Sequence, residues 1–333
     1  MSRLFFAFLL AGLSVGAAFA EELPRFELPA DCHPGVDCFV QNYVDRDPGP
    51  EASDFACGAL SYDGHKGTDL RLVNLAAMER GVAVLAAAPG TVLRRRDGMA
   101  DVSIRDTGVA AVAGREAGNS VIIDHGGGWV TQYAHLRQGS LLVNPGDVVA
   151  AGTPLGQVGL SGETEFPHVH FEVRFQDHTV DPFTGPMAQP ACGATPEPLW
   201  SEAAAAAMTY RPSGLLDAGF AAQKPEVGAI DRGDYTAAVL PADSAGLVFW
   251  INMFGLQEGD VQHLRLIGPA GGIVAEGEAT SDKNRAREFR FVGKKRPGAA
   301  WPTGAYRGEY RLLRRLDGIE TTVIEAARTV ELR

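Results

Sequence analysis

Short apolar runs separated by glycine and proline turns fill most of the chain between residues 58 and 191. Runs of roughly four to eight residues with this punctuation are typical of antiparallel β-strands. The clearest run reads His-Val-His-Phe-Glu-Val-Arg-Phe at residues 168–175. Successive side chains of a strand point to opposite faces, so the two histidines share a polar face while Val169, Phe171 and Val173 share an apolar one. Further strands are predicted at 82–88, 120–124, 129–135 and 154–158.

Residues 94–118 do not follow this alternation, because a charged stretch passes into one rich in alanine and glycine. Long loops in compact domains are commonly functional or mobile. We therefore predict a loop that lies over a groove. A surface insertion without a role is the alternative.

A second β-rich region follows a change of composition at residues 201–224, where the alanines at 203–207 predict a short helix or part of a linker. About seven short runs separated by turn residues suggest a β-sandwich of immunoglobulin-like type. These runs are 236–240, 247–254, 264–267, 287–292, 306–313, 321–325 and 329–332. The predicted fold class is therefore all-β.

The first twenty residues have the features of a secretory signal. Arg3 is followed by an apolar run, and Ala18-Phe19-Ala20 forms a small-residue cleavage site before Glu21. A permanent membrane helix is the alternative, but the apolar run is short for a span. We expect a protein secreted across the inner membrane into the periplasm or cell envelope, with no permanent membrane span.

The four cysteines fit an exported protein. Cys32, Cys38, Cys57 and Cys192 are even in number and form no Cys-x-x-Cys unit, which favours two disulfides over a second metal site. Four cysteines allow three pairings. We favour Cys32 with Cys38 and Cys57 with Cys192, because the second bond would tie together the ends of the first β domain. Free buried thiols are the alternative.

The charge balance argues against nucleic acid as the main partner, because the chain carries a net charge of -11. A basic cluster nevertheless lies in the second β region. It could recognise an anionic envelope polymer or a partner protein, or it could protect a strand edge from pairing. The cluster consists of Lys283, Arg285, Arg287, Arg290, Lys294, Lys295 and Arg296.

Five residues in three separate motifs suggest a metal site. His65 and Asp69 occur in His-Lys-Gly-Thr-Asp, His135 ends a predicted strand, and His168 and His170 share a strand face. Histidines with one carboxylate suit a catalytic zinc that keeps an open position. Each histidine alone is more often structural, but the set together favours a metal site. His125 precedes three glycines, so we assign it to a turn and not to the site.

These motifs and their surroundings resemble the M23 family of lysostaphin/LytM-type zinc metallopeptidases. The resemblance extends over about residues 62–183. One segment departs from it, because Thr164-Glu165-Phe166-Pro167 stands where the family usually has small residues and a glycine. The matching motifs are Gly-Asn-Ser-Val-Ile-Ile-Asp-His-Gly at 118–126, Thr-Gln-Tyr-Ala-His-Leu at 131–136, Pro-Gly-Asp-Val-Val-Ala-Ala-Gly at 145–152, and His-Val-His-Phe-Glu-Val-Arg at 168–174.

The resemblance implies roles for all five residues. His65, Asp69 and His170 would bind Zn²⁺, while His135 and His168 would lie beside its bound water as catalytic groups. The implied activity is exported endopeptidase hydrolysis of peptide bonds in bacterial peptidoglycan stems or cross-links, through a zinc-bound water. The alternative is a non-catalytic LytM-type envelope protein that activates another cell-wall hydrolase. The complete set of five residues favours the enzyme.

The predicted organisation combines these readings into an antiparallel LytM-like catalytic domain and a C-terminal immunoglobulin-like β-sandwich. Peptidoglycan peptides are the expected partners of the first, and envelope proteins are considered as partners of the second. The divisions are a signal peptide at 1–20, an irregular cysteine-containing leader at 21–57, an M23-like peptidase domain at 58–192, a linker at 193–225 and a β-sandwich accessory domain at 226–333.

Overall fold

A computed structural model describes residues 23–186 and 197–333. Within these ranges the fold consists mainly of antiparallel strands with few, short helices, as predicted. The first β region contains β1 (Cys38–Asn42), β2 (Thr68–Leu72), β3 (Ala83–Leu85), β4 (Gly90–Arg96), β5 (Asn119–Gly126), β6 (Trp129–Leu136), β7 (Val148–Val149), β8 (Pro154–Gln157), β9 (His168–Phe175) and β10 (His178–Val180). The second contains β11 (Gly214–Ala221), β12 (Val239–Leu240), β13 (Gly246–Leu256), β14 (Val261–Ile267), β15 (Ile273–Thr280), β16 (Arg285–Lys295), β17 (Gly304–Leu316) and β18 (Ile319–Leu332). The helices are α1 (Leu75–Arg80), α2 (Ile104–Thr107), a 3₁₀ helix (Val109–Val112), α3 (Glu202–Ala207) and α4 (Val227–Arg232).

Strand β9 lies inside the main sheet, whose strand order is β1-β2-β9-β6-β5-β4-β7. In register, Asp69 on β2 and Ala134 on β6 both stand opposite His170. The pairing therefore brings two candidate residues from distant parts of the chain to one place. The apolar residues of β9 are fully buried in the core, which confirms the predicted alternation: Val169, Phe171 and Val173.

The leader before residue 57 belongs to the core of this first region. Phe26 is fully buried and packs edge-on against Phe171 and Trp200, with ring centroids 5.8 and 6.4 Å away. Strand β1 pairs with β2, so part of the leader predicted as irregular is a strand of the main sheet. Trp200 comes from the predicted linker, which thus also contributes to this core. The domain boundaries themselves stay predictions.

The disulfide between Cys32 and Cys38 is formed, as predicted. Cys57 is also disulfide-bonded. Its predicted partner, Cys192, lies outside the described residues.

The segment predicted as a loop over a groove has more regular structure than expected. Strand β4 continues through Arg96, and α2 and the 3₁₀ helix follow. Helix α2 begins after Ser103, whose hydroxyl accepts a hydrogen bond from the Arg105 backbone N–H at 3.2 Å. Ile104 and Ala117 line the groove described below, so this segment forms part of the groove wall, while a loop lying over the groove stays a prediction.

The second β region contains two sheets, ordered β11-β13-β16 and β12-β18-β17-β14-β15. Their pairings are antiparallel except for the parallel pair of β12 and β18. Side chains of both sheets form one buried cluster, which includes Phe249 on β13 and Tyr310 on β17. Strand β11 comes from the predicted linker. The region is thus β-structured as predicted, while its assignment to the immunoglobulin type stays a prediction.

The basic cluster of the second region lies mostly on β16, an edge strand of its sheet. Several of its charges have acidic partners. Arg285 donates to Asp282 at 2.9 Å, and Arg287 donates to Asp231 on α4 at 3.1 Å. Charges along an edge strand discourage pairing with another chain.

The described ranges contain no helix whose length and apolarity would let it cross a membrane. The predicted signal peptide at residues 1–20 lies outside the described residues.

A buried carboxylate next to β10 predicts a pH dependence of stability. Asp181 accepts a hydrogen bond from the Phe183 N–H at 2.9 Å, but its Oδ2 has no hydrogen-bond partner within the described ranges. Burial raises the pKa of Asp181 from 3.8 to about 6. The native state therefore binds the proton more tightly than the unfolded state does. Stability contributed by this group is present at low pH and is lost as pH rises from about 4 to about 6.

We expect Asp181→Asn to gain stability relative to the natural protein as pH rises from 4 to 7.5, by up to about 3 kcal/mol. The measurement is the free energy of unfolding in urea at both pH values, with both proteins free of metal. A difference that does not change with pH would contradict the expectation.

Candidate metal centre

Three predicted residues bring their ligand atoms together on the polar face of the main sheet. Asp69 Oδ1 lies 3.2 Å from His65 Nε2 and 2.8 Å from His170 Nδ1. The two nitrogens are 3.2 Å apart. Ligands about 2.0–2.1 Å from a tetrahedral zinc would be separated by about 3.3 Å. The triangle therefore has nearly the size that a zinc ion needs.

The leader orients two of these three side chains. His65 Nδ1 lies 2.7 Å from the Tyr43 carbonyl oxygen, which can only accept, so Nδ1 carries a proton and Nε2 is the nitrogen that faces the other ligand atoms. Asn42 Nδ2 donates to Asp69 Oδ2 at 2.8 Å and leaves Oδ1 facing the histidines. Such outer contacts fix the orientation of metal ligands. Sequence reasoning missed Asn42 and Tyr43, because no spacing pattern links them to a motif more than twenty residues away.

His135 and His168 lie next to each other beside the triangle, with ring centroids 4.6 Å apart. His135 Nδ1 donates to the Ser161 carbonyl oxygen at 2.8 Å. His168 Nδ1 donates to the Phe166 carbonyl oxygen at 2.9 Å, and its Nε2 lies 3.5 Å from Asp69 Oδ1. These carbonyls hold both rings in the tautomer that leaves Nε2 unprotonated and available.

The backbone of His135 has a φ of +63°, which is uncommon for a residue with a side chain. The surroundings hold it in place, because its N–H donates to the Ala117 carbonyl oxygen at 3.0 Å. Uncommon backbone conformations of this kind concentrate at functional sites. The motif in the sequence gives no indication of it.

Burial sets the protonation of the two flanking histidines. It lowers the pKa of His168 below its ordinary value and that of His135 well below it. Both rings are therefore neutral at pH 7. Burial alone would raise the pKa of Asp69, but His65 and His168 hold it well below its usual range, so this carboxyl group is ionised. Burial alone would lower the pKa of His65, but Asp69 raises it above its ordinary value, so the proton that this carboxylate favours on His65 must leave when a metal binds.

A second overlapping group, formed by His135, His168 and His170, also has its nitrogen atoms within 4.8 Å of one another. It lacks a carboxylate, and His170 is common to both groups. His125 belongs to neither group. Its two ring nitrogens contact the Pro89 carbonyl oxygen at 2.7 Å and the Thr131 hydroxyl at 2.8 Å, as expected of a histidine that orders a turn.

The five residues line one groove of about 750 Å³. Its walls come from the leader, from the 94–118 segment and from residues 163–166, which overlap the segment 164–167 that departs from the family pattern. One residue of the second β region, Ala286, also lines it. The second region thus lies beside the groove. The sequence did not predict this position, because none of the five predicted site residues belongs to the second region.

A series of ion pairs connects the second region to the wall of this groove. Arg105 NH2 lies 2.7 Å from Glu165 Oε2, and Arg105 NH1 lies 3.7 Å from Asp231 Oδ2. Asp231 in turn accepts hydrogen bonds from Arg287 on β16. These side chains are partly exposed, so each pair contributes little stability by itself.

The role of Asn42 can be tested by removing its side chain. We expect Asn42→Ala to weaken zinc affinity by about 10-fold to 100-fold, because Asp69 loses the donor that fixes its orientation. The measurement is a competition titration with a zinc chelator of known affinity. Asn144→Ala, at an exposed position before β7, is the matched control, and an equal change in both variants would contradict the assignment.

Comparison with known proteins gives a family match over this region. Residues 63–182 match the model of Peptidase family M23. The cell division protein DipM of Caulobacter vibrioides is 39% identical over 89 residues, which cover 26% of this chain and 14% of that protein. The peptidoglycan DD-endopeptidase ShyA of Vibrio cholerae is 31% identical over 109 residues, which cover 33% of this chain and 20% of that protein. The chain thus spans a fifth or less of these two relatives.

Two similar solved structures cover 46% and 36% of the chain. The catalytic domain of the prophage-encoded M23 protein EnpA from Enterococcus faecalis covers 46% of this chain at 23% identity and a TM-score of 0.32, with 94% of that domain matched. The catalytic domain of lysostaphin from Staphylococcus simulans covers 36% at 22% identity and a TM-score of 0.26, with 76% matched. Similarity at this level supports no conclusion about activity.

Proposed function

Since residues 63–182 of this chain are a domain of Peptidase family M23, we propose that the protein is an exported zinc metalloendopeptidase. Its substrate would be the peptide part of bacterial peptidoglycan, cut in the stems or the cross-links. The observation that carries the proposal is the convergence of His65, Asp69 and His170 beside the neutral pair His135 and His168.

Zinc is the metal that these residues fit best. Two imidazole nitrogens and one carboxylate oxygen lie 2.8–3.2 Å from one another, and the open side of the triangle faces a groove. A zinc bound there would polarise a peptide carbonyl and lower the pKa of a bound water toward about 7.

His135 and His168 would supply the proton transfers. Each ring is neutral and presents Nε2, so each can accept a proton from the attacking water and, once protonated, donate to the leaving amine. A protonated Nε2 can also donate a hydrogen bond to the oxygen that becomes negative in the transition state. The division of these roles between the two histidines is left open.

The alternative function is a non-catalytic envelope protein that activates another cell-wall hydrolase. A regulator needs neither the metal ligands nor the flanking histidines, so the complete and oriented set favours the enzyme. The second β region, which we take as an immunoglobulin-like accessory domain, would engage the envelope polymer or envelope proteins. A periplasmic or cell-envelope location is part of the same proposal.

The decisive experiment incubates purified protein with peptidoglycan, with and without a chelator, and identifies the released fragments by mass spectrometry. We expect new amino and carboxyl termini within stem peptides or cross-links, and their loss when chelator is added. Zinc added back should restore cleavage. A zinc-loaded, folded protein that releases no fragment would favour the activator.

A further inference from the structure

A second depression lies beside the groove on the same sheet, beyond the metal centre. This depression, of about 260 Å³, is lined by residues of β4, β5 and β6. Ala117 and Gln132 line both the groove and the depression, so the two adjoin each other. We call the second part the arginine end, because Arg94, Arg95 and Arg96 line it.

The sheet register places Arg94 on the same face as the metal centre. Arg94 stands opposite Ile122, Ile122 opposite Gln132, and Gln132 opposite Glu172 on β9. Glu172 follows His170 by two residues and so shares its face. Three strand spacings separate β9 from β4, which is about 14 Å, or the reach of about four extended residues. A peptide whose scissile bond lies at the metal centre could thus reach Arg94.

The two ends of this surface differ in charge. Glu116, Glu163 and Glu165 are exposed around the metal centre. At the arginine end, no carboxylate of the described residues lies within 4.0 Å of the guanidinium of Arg94, Arg95, Arg96 or Arg174. Arg174 instead donates to Gln132 Oε1 at 3.5 Å. Positive charge therefore collects at this end of the surface, and, after backbone hydrogen bonds, Arg96 contributes to lowering the pKa of nearby Glu116.

Arg94 is the arginine of this group that is free to bind a ligand. Arg95 donates to the Val143 carbonyl oxygen at 3.0 Å, and Arg96 donates to the Gly118 and Arg115 carbonyl oxygens. Arg94 is exposed, and its guanidinium has no hydrogen-bond partner among the described residues. A guanidinium presents a planar fork of donors that matches a carboxylate.

We propose that Arg94 forms a carboxylate subsite that selects peptides with a free acidic group about four residues from the scissile bond. The proposal rests on the proposed function and deepens it, because it names the chemical class of peptide that the groove prefers. Gln132, on the floor between the two ends, would lie under the peptide backbone. Arg96 and Arg174 would add to the positive potential without direct contact.

The test uses synthetic cross-linked stem peptides in which each free carboxylate is replaced, one at a time, by a carboxamide. With the natural protein, we expect one replacement to lower kcat/KM by about 10-fold or more, as for loss of a charged hydrogen bond. Arg94→Ala should lower kcat/KM for the carboxylate peptide to the level of that carboxamide peptide, and leave the carboxamide peptide unchanged. Arg94→Glu should reverse the preference. Arg315→Ala, an exposed position on β17, is the control for loss of one positive charge.

Equal kcat/KM for all peptides in the natural protein and in Arg94→Ala would overturn the subsite and leave the proposed function standing. If no peptide is cleaved, the proposed function fails instead. The same peptides and variants are then compared by dissociation constant in a calorimeter. A preference for one carboxylate peptide that disappears in Arg94→Ala supports the subsite, and equal affinities overturn it.

Discussion

His170→Ala is expected to lose both bound zinc and activity, whereas His135→Ala is expected to keep most of its zinc and still lose turnover. His170 Nδ1 is one of the three atoms of the ligand triangle, so its loss leaves two donors. The variant should lose about 10³-fold or more in kcat/KM, because the metal contributes several kcal/mol to transition-state stabilisation. His135 lies beside the triangle, and loss of its proton transfer or hydrogen bond should cost about 10²-fold to 10⁴-fold.

Zinc content per protein, measured by mass spectrometry of the metal, separates the two variants. Peptidoglycan fragment release under saturating zinc gives the activity. His125→Ala is a useful control, because that histidine is also buried in part and hydrogen-bonded but belongs to neither group of ligand atoms. Equal zinc loss in His135→Ala and His170→Ala would show that the metal is held by the overlapping group of three histidines.

The residues of the candidate site could be predicted because their chemistry is local in the sequence. His168 and His170 share a strand face by the period of two, and Val169, Phe171 and Val173 on the opposite face belong to the buried core. The meeting of Asp69 with His170 is not local, since 101 residues separate them. Only the resemblance to a family predicted that Asp69 and His170 meet. The register of β2 with β9, in which the two residues stand opposite each other, now explains this meeting.

The supporting contacts could not be predicted, because they come from segments without a motif. The leader looked irregular through its Pro, Asp and Gly content, yet β1 completes the main sheet and provides Asn42. Tertiary pairing here overrides a weak local preference, as is common for strands. The position of the second region beside the groove could not be predicted either, because Ala286 lines the groove and Asp231 contacts Arg105 only through packing of the two regions.

Residues 164–167 depart from the usual sequence of the family, and the contacts of Phe166 explain why larger side chains are present there. Phe166 offers its carbonyl oxygen to His168, and its ring lies under the guanidinium of Arg71 at 4.3 Å. Arg71 is itself buried on β2, two residues after Asp69 in the chain and opposite His168 in register. A glycine at this place would lose the ring contact. The larger side chains thus belong to the packing that holds His168.

A second large effect is expected at Gly67, between two ligands. A Cβ added there would lie 2.6 Å from the His170 ring and 2.8 Å from the Phe171 carbonyl oxygen. The Phe171 contact is with backbone of a central strand and cannot give way cheaply. Gly67→Ala should therefore push His170 or β2 away from its place, and a misplacement near 1 Å costs about 10²-fold in rate.

We expect Gly67→Ala to fold, to bind zinc about 10-fold or more weakly, and to lose at least about 10²-fold in kcat/KM at saturating zinc. Gly272→Ala is the matched control, because nothing lies within 4 Å of the added Cβ there. Circular dichroism and the urea midpoint establish whether each variant is folded. Normal zinc affinity and normal turnover in a folded Gly67→Ala protein would mean that His170 does not occupy the position from which it closes the ligand triangle, and the assignment of His65, Asp69 and His170 would be wrong.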